Sequence, residues 1–184
     1  MEIGCGSGVA SVFLATHLRK TATQPTEPAI IVTDINPRAL QVTKATAAAN
    51  SGDLPLQLEA VQCDLLSALL PRLTHAVDIL IFNPPYVPTP DDEVGSTGIE
   101  ASWAGGVKGR RVIDRAIPQI AQILARPHGV GYMITVDDNE PELLAIEFEK
   151  LGLKMVPSVR RRAHNEFLTV QKLQWITDVR NEDD

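Results

Sequence analysis

Short, nearly solid apolar runs alternate along the chain with stretches whose apolar positions recur every three or four residues. Ile30–Asp34, Leu56–Gln62, Val77–Phe82 and Gly129–Val136 read as strands, and three of them are apolar almost throughout, as strands covered on both faces are. Val9–Lys20, Pro37–Asn50, Arg111–Ala125 and Glu140–Leu151 read as helices. This alternation predicts an α/β fold, a doubly wound and mostly parallel sheet with helices on its faces. Helix ends carry their own chemistry. Asn36 is expected to cap the second helix with Pro37 in its first turn, and Asn50-Ser51-Gly52 to stop it. Asn139 is expected to cap the fourth helix, with Pro141 just inside. After Gly152 the rhythm changes: Leu153–Val159 and Glu166–Trp175 flank a basic stretch that reads as the turn of an antiparallel pair. The sheet is therefore predicted to be antiparallel at its carboxyl-terminal edge.

Two segments interrupt this spacing. Thr21–Ala29, with Pro25 and Pro28, reads as a surface insertion in the first crossover, and the acidic tail Asn181–Asp184 as a solvated end. Asn83 to Arg110 holds four prolines and five glycines without periodicity, which inside a compact domain predicts a lid or a binding loop.

Composition narrows the function classes. The length of 184 residues, 44% hydrophobic and 22% charged, suits one globular domain. Seventeen Lys+Arg against 23 Asp+Glu leave a net charge of −6, which disfavours stable binding to nucleic acid. Cys5 and Cys63 are too few for a disulfide framework, and His17, His75, His128 and His164 lack ligand spacing, so no metal is expected. No apolar run approaches the ~18 residues of a membrane span, and no cleavable signal opens the chain. The expected setting is the cytoplasm, with the nucleus as a second compartment, and without membrane contact.

The candidate chemistry starts at Glu2-Ile3-Gly4-Cys5-Gly6-Ser7-Gly8, the turn between a first strand and the helix from Val9. A dinucleotide fingerprint would need glycine where Val9 stands, and no Gly-Lys-Ser/Thr of a phosphate loop follows. Alternating glycines beside an acidic strand end instead let backbone approach a ligand that carries hydroxyl and ammonium groups. Asp34 ends the second strand, where a carboxylate can accept two ribose hydroxyls, and Asp64 ends the third, at the level of an adenine amino group. The bland alternative, that both are strand-end caps, stays open for each taken alone.

Asn83-Pro84-Pro85-Tyr86 continues the fourth strand. Prolines hold the preceding residue extended, so the Asn83 side chain projects from the strand end. Its oxygen and the Pro84 carbonyl can accept both hydrogens of an –NH2 group, while Tyr86 offers a wall to a planar group. An amide or exocyclic amine, whose lone pair is delocalised, needs this kind of orientation for methyl transfer. Arg160-Arg161-Arg162 reads as a solvated turn. Arg110 and Arg111 are placed to meet an acidic partner, Trp103 to line a substrate channel or pack its loop, and Trp175 to lie in the core.

Glu2–Gly8, Asp34, Asp64 and Asn83–Tyr86, with the run Glu93-Val94-Gly95-Ser96, Gly98-Ile99-Glu100-Ala101, Trp103-Ala104-Gly105-Gly106 and Gly109-Arg110, resemble the HemK-type protein glutamine N5-methyltransferases. The similarity is closest to the eukaryotic branch that modifies the Gly-Gly-Gln glutamine of a translation release factor. The resemblance implies a class I methyltransferase (Rossmann-like) fold over residues 1–184 and S-adenosylmethionine as cofactor. It implies a cofactor set of Glu2, Gly4, Cys5, Gly6, Gly8, Asp34, Ile35, Asp64, Leu65 and Asn83, and a catalytic set of Asn83, Pro84, Pro85 and Tyr86. It also implies a heterodimer with a small zinc-binding activator subunit, paired along the edge strand Leu56–Gln62. Members of the family carry an upstream helical cover that is expected to be missing from a chain starting at Met1. Readings left open are a nucleic-acid adenine or guanine N-methyltransferase, a protein lysine methyltransferase, and a catalytically inactive subunit.

Overall fold

The computed structural model describes residues 1–21, 28–52, 55–95, 97–163 and 166–177. In chain order the elements are β1 (Glu2–Ile3), α1 (Val9–Thr21), β2 (Ile30–Asp34), α2 (Pro37–Ala49), β3 (Leu58–Gln62) and β4 (Ile79–Phe82). These are followed by α3 (Arg111–Ile123), β5 (Val130–Thr135), α4 (Pro141–Glu149), β6 (Leu153–Ala163) and β7 (Glu166–Trp175). They form one seven-stranded sheet in the order β3-β2-β1-β4-β5-β7-β6. The first five positions are parallel, and β7 runs antiparallel to both β5 and β6, as the change of rhythm after Gly152 predicts.

Strand order reverses between β1 and β4, which makes their carboxyl ends the switch point of the sheet. Open α/β sheets bind ligands at that crevice, because the connections there lead to opposite faces. The short β1 lies at the centre, with Glu2 beside Val32 and Ile81, and Ile3 beside Thr33 and Phe82. One face of the sheet is covered by α3 and α4. There Ile3, Leu80, Phe82 and Met133 pack against Ile113, Ile117, Ile120, Leu144 and Phe148. The buried positions Ile113, Ala116, Ile117 and Ile120 recur at helical spacing along α3, and each fully buried isoleucine contributes about 1.5–3 kcal/mol. The other face, under α1 and α2, buries Cys5, Ala15, Ile30, Val32 and Leu40.

Asn36 caps α2 as expected, its side-chain oxygen accepting from the Arg38 N–H at 2.9 Å, and Asn50 closes the helix. Two expectations need correction. Arg160, Arg161 and Arg162 are not a turn but strand residues of β6, paired with Thr169, Leu168 and Phe167, because the hairpin runs on to Ala163. Asn139 does not cap α4. Glu140 stands there in left-handed backbone geometry (φ +51°), and Asn139 is buried in a preceding 3-10 turn with its side chain turned elsewhere. The segment from Asn83 to Arg110, expected to be a lid or a binding loop, is organised by three single 3-10 turns at Asp91–Glu93, Ile99–Ser102 and Val107–Gly109. Most of the insertion 21–29 and the tail 181–184 lie outside the described residues.

Candidate active site

Gly4, Gly6 and Gly8 all adopt positive φ, at +64°, +52° and +75°, so the turn after β1 uses the left-handed freedom of glycine three times. Their surroundings differ. Beside Gly4 and Gly6 nothing lies within 4 Å of where a Cβ would stand, leaving open space at the strand tip. A Cβ on Gly8 would come 2.6 Å from Thr43 Cγ2, so Gly8 serves the close packing of α1 on α2 and does not line the cleft.

The carboxylates also divide. Asp34 projects over the turn, where Oδ2 accepts from the Gly6 N–H and Oδ1 from the Asn36 N–H, both at 2.9 Å. Each oxygen keeps a lone pair for a further donor. Glu2 is buried and points back under α1, where Oε2 accepts from the Ser11 N–H at 3.1 Å and from the Ser11 hydroxyl. Burial pushes its carboxyl above the usual range, against the pull of the Ser11 hydrogen bonds. Glu2 thus fastens β1 to α1 at the floor of the cleft and is not a free strand-end carboxylate. Asp64 faces the cleft but is paired with the Arg115 guanidinium of α3. Arg115 was not legible in the sequence, because only the packing of α3 brings it to that wall.

Together these residues border a cleft of about 890 Å³. Ile35, Asn36, Cys63 and the left-handed Leu65 (φ +52°) form its sides after β2 and β3. Val9 and Phe13 of α1, Val42 of α2 and Ile99 of the long loop give it apolar walls. Phe13 and Val42 carry no motif in the sequence, whereas Ile99 falls within the Gly98-Ile99-Glu100-Ala101 run that carries the resemblance. Cys5 is buried, its sulfur accepts from the Thr43 hydroxyl, and burial pushes the thiol up to about 11, so its side chain is inert framework.

Asn83 lies in the cleft at the tip of β4, exposed, with Pro85 beside it. Pro84 is buried, and Tyr86 is half-buried; neither belongs to the walls. Burial raises the Tyr86 phenol pKa, and the Glu166 charge adds to the shift. The wall expected from Tyr86 is therefore not part of this cleft. Beyond it the chain doubles back on itself. Val87 N–H donates to the Trp103 carbonyl and Gly105 N–H to that of Val87, while Thr89 and Gly106 exchange two further bonds. Asp91 accepts from the Val107 N–H and from Arg111, which lowers the Asp91 carboxyl below its usual range. This base carries the Ile99–Ser102 turn over the cleft. Arg110 pairs with Asp114 and Glu140, and Arg111 with Asp91, so both arginines serve the loop and not an acidic partner. Trp103 lies outside the cleft walls, whereas Trp175 is core, its indole N–H bound to the Ala125 carbonyl at 2.9 Å.

The open space at Gly4 and Gly6 and the free lone pairs of Asp34 fit a ligand with a sugar and an ammonium group. Thr33 borders the same cleft, and its hydroxyl is buried without a hydrogen-bond partner among the described residues. A glycine turn at the switch point of a sheet in this strand order defines a class I methyltransferase, a class that uses S-adenosylmethionine. Residues 1–99 match the family described as "Methyltransferase small domain". Methyltransferase HEMK2 of Homo sapiens is 44% identical over 94% of this chain and 75% of its own length. The eRF1 methyltransferase catalytic subunit mtq2 of Schizosaccharomyces pombe is 36% identical over 95% and 75%. Among solved structures, the E. cuniculi Mtq2–Trm112 complex, described as responsible for methylation of the eRF1 translation termination factor, superposes with a TM-score of 0.64. It is 27% identical and matches 95% of this chain and 83% of that one. The chain belongs to the HemK-type methyltransferases, in the branch that holds HEMK2 and Mtq2.

Proposed function

We propose that this enzyme methylates the side-chain amide nitrogen of the Gly-Gly-Gln glutamine in a eukaryotic translation release factor, with S-adenosylmethionine as donor. The observation that carries the reading is Asn83. It stands at the tip of β4, inside the cleft and next to the β1 tip that opens at Gly4 and Gly6. When bound, S-adenosylmethionine supplies an electrophilic methyl group. The residues of the chain contribute orientation. The Asn83 amide oxygen accepts a hydrogen from the substrate –NH2, turning the nitrogen lone pair into the cleft. The second acceptor, which the family resemblance assigns to the Pro84 carbonyl, lies on a residue buried outside the cleft walls and becomes available only as the tip of β4 adjusts to the substrate. The Asp34 oxygens receive ribose hydroxyls, and the backbone of Gly4 and Gly6 permits close approach. Val9, Phe13, Val42 and Ile99 line the cleft with exposed apolar surface that a bound cofactor would cover.

A small activator subunit, of zinc-binding type by the family resemblance, pairs along β3. That strand is the sheet edge, hydrogen-bonded on its inner side to β2, and it offers its outer N–H and C=O groups. The Mtq2–Trm112 complex supports a two-subunit enzyme. Translation termination makes the cytoplasm its working compartment.

The test is incubation of the chain and activator with release factor and methyl-labelled cofactor. Label on the Gly-Gly-Gln glutamine is expected, falling about 10²-fold or more in rate for Asn83→Ala. An unlabelled factor, or equal labelling by the Asn83→Ala enzyme, rejects the reading.

A further inference from the structure

Asn139 has no exposed surface and stands outside the cleft, yet it touches the Asn83–Tyr86 segment directly. Its side-chain oxygen accepts from the Val136 N–H at 2.8 Å. Its amide nitrogen donates to the carbonyls of Tyr86 and Lys108, each at 2.9 Å, with the Gly109 carbonyl at 3.5 Å. Carbonyl partners can face only the nitrogen, so the orientation of the amide is determined. Two glycines complete the contact. A Cβ on Gly109 would fall 1.9 Å from the Tyr86 oxygen, and one on Gly105 would fall 2.4 Å from the Pro85 oxygen. The backbone of Pro85 and Tyr86 therefore rests on Gly105 and Gly109. Neither proline has an N–H, so across Pro84–Pro85 the main chain can be held only through its carbonyls. Next to Asn139, Glu140 takes Lys108 and Arg110 from the same loop.

We infer that Asn139, seated with Gly105 and Gly109, is a positioning residue for Asn83. By holding the Tyr86 carbonyl from the turn that follows β5 it keeps the tip of β4 from relaxing and sets the direction in which the Asn83 amide meets its substrate. The inference rests on the function proposed above and adds a residue that touches neither cofactor nor substrate.

The decisive variant is Asn139→Asp, which keeps the shape but turns an acceptor toward the Tyr86 and Lys108 carbonyls. In the two-subunit enzyme its kcat should fall about 10²-fold, the scale of a misplacement near one ångström. The KM and calorimetric Kd for S-adenosylmethionine should stay within about threefold, since uniform binding is untouched. Hydrogen exchange of the peptide spanning residues 83–92 should quicken. Wild-type kcat in this variant, or a loss of kcat matched by equal loss of cofactor affinity, overturns the inference. Should Asn139→Asp not fold, Gly109→Ala, whose Cβ would fall 1.9 Å from the Tyr86 oxygen and 2.6 Å from Asn139 Nδ2, displaces the same contact from the other side and must show the same split; a wild-type kcat there also overturns it. If neither variant folds, the wild-type protein decides: the Asn139 side-chain NH2, bound to the Tyr86 and Lys108 carbonyls, must exchange far more slowly than that of exposed Asn83, and equal exchange refutes the seat. An unlabelled release factor with wild-type enzyme rejects the function itself, whereas labelled wild type with unaltered Asn139→Asp rejects only the positioning role.

Discussion

The Gly4–Gly8 turn and the Asn83–Tyr86 segment follow neighbouring strands, β1 and β4, and open onto one cleft, but they are held there by different means. The turn is specified by its own residues. Three glycines supply positive φ where other residues pay a steric cost and Gly8 N–H closes on the Cys5 carbonyl at 2.7 Å, so that the Asp34 carboxylate and the Thr43 and Thr46 hydroxyls of α2 only add hydrogen bonds to a turn already shaped from within. The second segment has little local support, because prolines remove its N–H groups. Its seat comes from Gly105, Gly109 and Asn139, roughly 20 to 50 residues further along. The contrast teaches that a ligand-facing backbone can be shaped by conformational restriction, or by remote groups that surround its carbonyls. The first kind fails through local strain, the second through changes at a distance.

The largest effect that would sharpen this contrast is expected at Gly8. Gly8→Ala combines left-handed strain with overlap on Thr43 and should cost about 2–4 kcal/mol of stability, read as a lower denaturation midpoint. Because Thr43 is the atom group met, the Gly8→Ala/Thr43→Ala pair should be more stable than the sum of the single losses, and strict additivity would contradict the packing role. Next comes Asp34→Ala, which removes a charged acceptor from the turn. S-adenosylmethionine binding should weaken roughly tenfold to hundredfold by calorimetry, the measure of one hydrogen bond to a charged group. Unchanged affinity would place the ribose elsewhere.

A smaller effect is expected from Gly6→Ala, where open space leaves only the left-handed strain of about 1–2 kcal/mol. Cofactor affinity should suffer more than stability there, and the reverse order would show that the open space is not ligand space. The smallest effect concerns pH. Hydrogen bonding to Lys108 holds the Glu140 carboxyl below its ordinary value of 4.5, with the charges of Lys108 and Arg110 adding to this. A depressed folded value means that the contact is complete above the unfolded value and is lost as pH falls through the folded one. Exchange of residues 107–110 should therefore be slower in wild type than in Glu140→Gln at pH 7 and converge in strong acid. Equal exchange at neutral pH would remove Glu140 from the loop's support.

Much of this architecture was legible because its causes are local. Apolar runs marked β2, β4 and β5, Asn36 and Pro37 marked the start of α2, and the change of pattern after Gly152 marked the antiparallel edge. Asp34 was readable for the same reason, since strand ends in a parallel sheet share one side. The basic run of β6 was misread as a turn because exposed arginines look alike on an edge strand and in a loop; what distinguishes them is pairing with β7. Asn139 was misread because an asparagine before a proline-started helix carries the signal of a cap, and nothing nearby reveals that its amide is spent on Tyr86 and Lys108.

The sequence by itself determined the order of the elements, the positive-φ turn after β1 and the acceptor-rich tip of β4, since periodicity, glycine freedom and proline restriction act within a few residues. Tertiary structure decided that Glu2 is tied to Ser11, that Gly8 packs on Thr43, that Arg115 takes Asp64, and that Asn139 seats the Pro-Pro-Tyr backbone. The polar pairs depend on which donor meets which acceptor once the helices have packed, the Gly8 contact on how closely α2 approaches, and a buried polar group will take any partner that satisfies it, however far away in the chain.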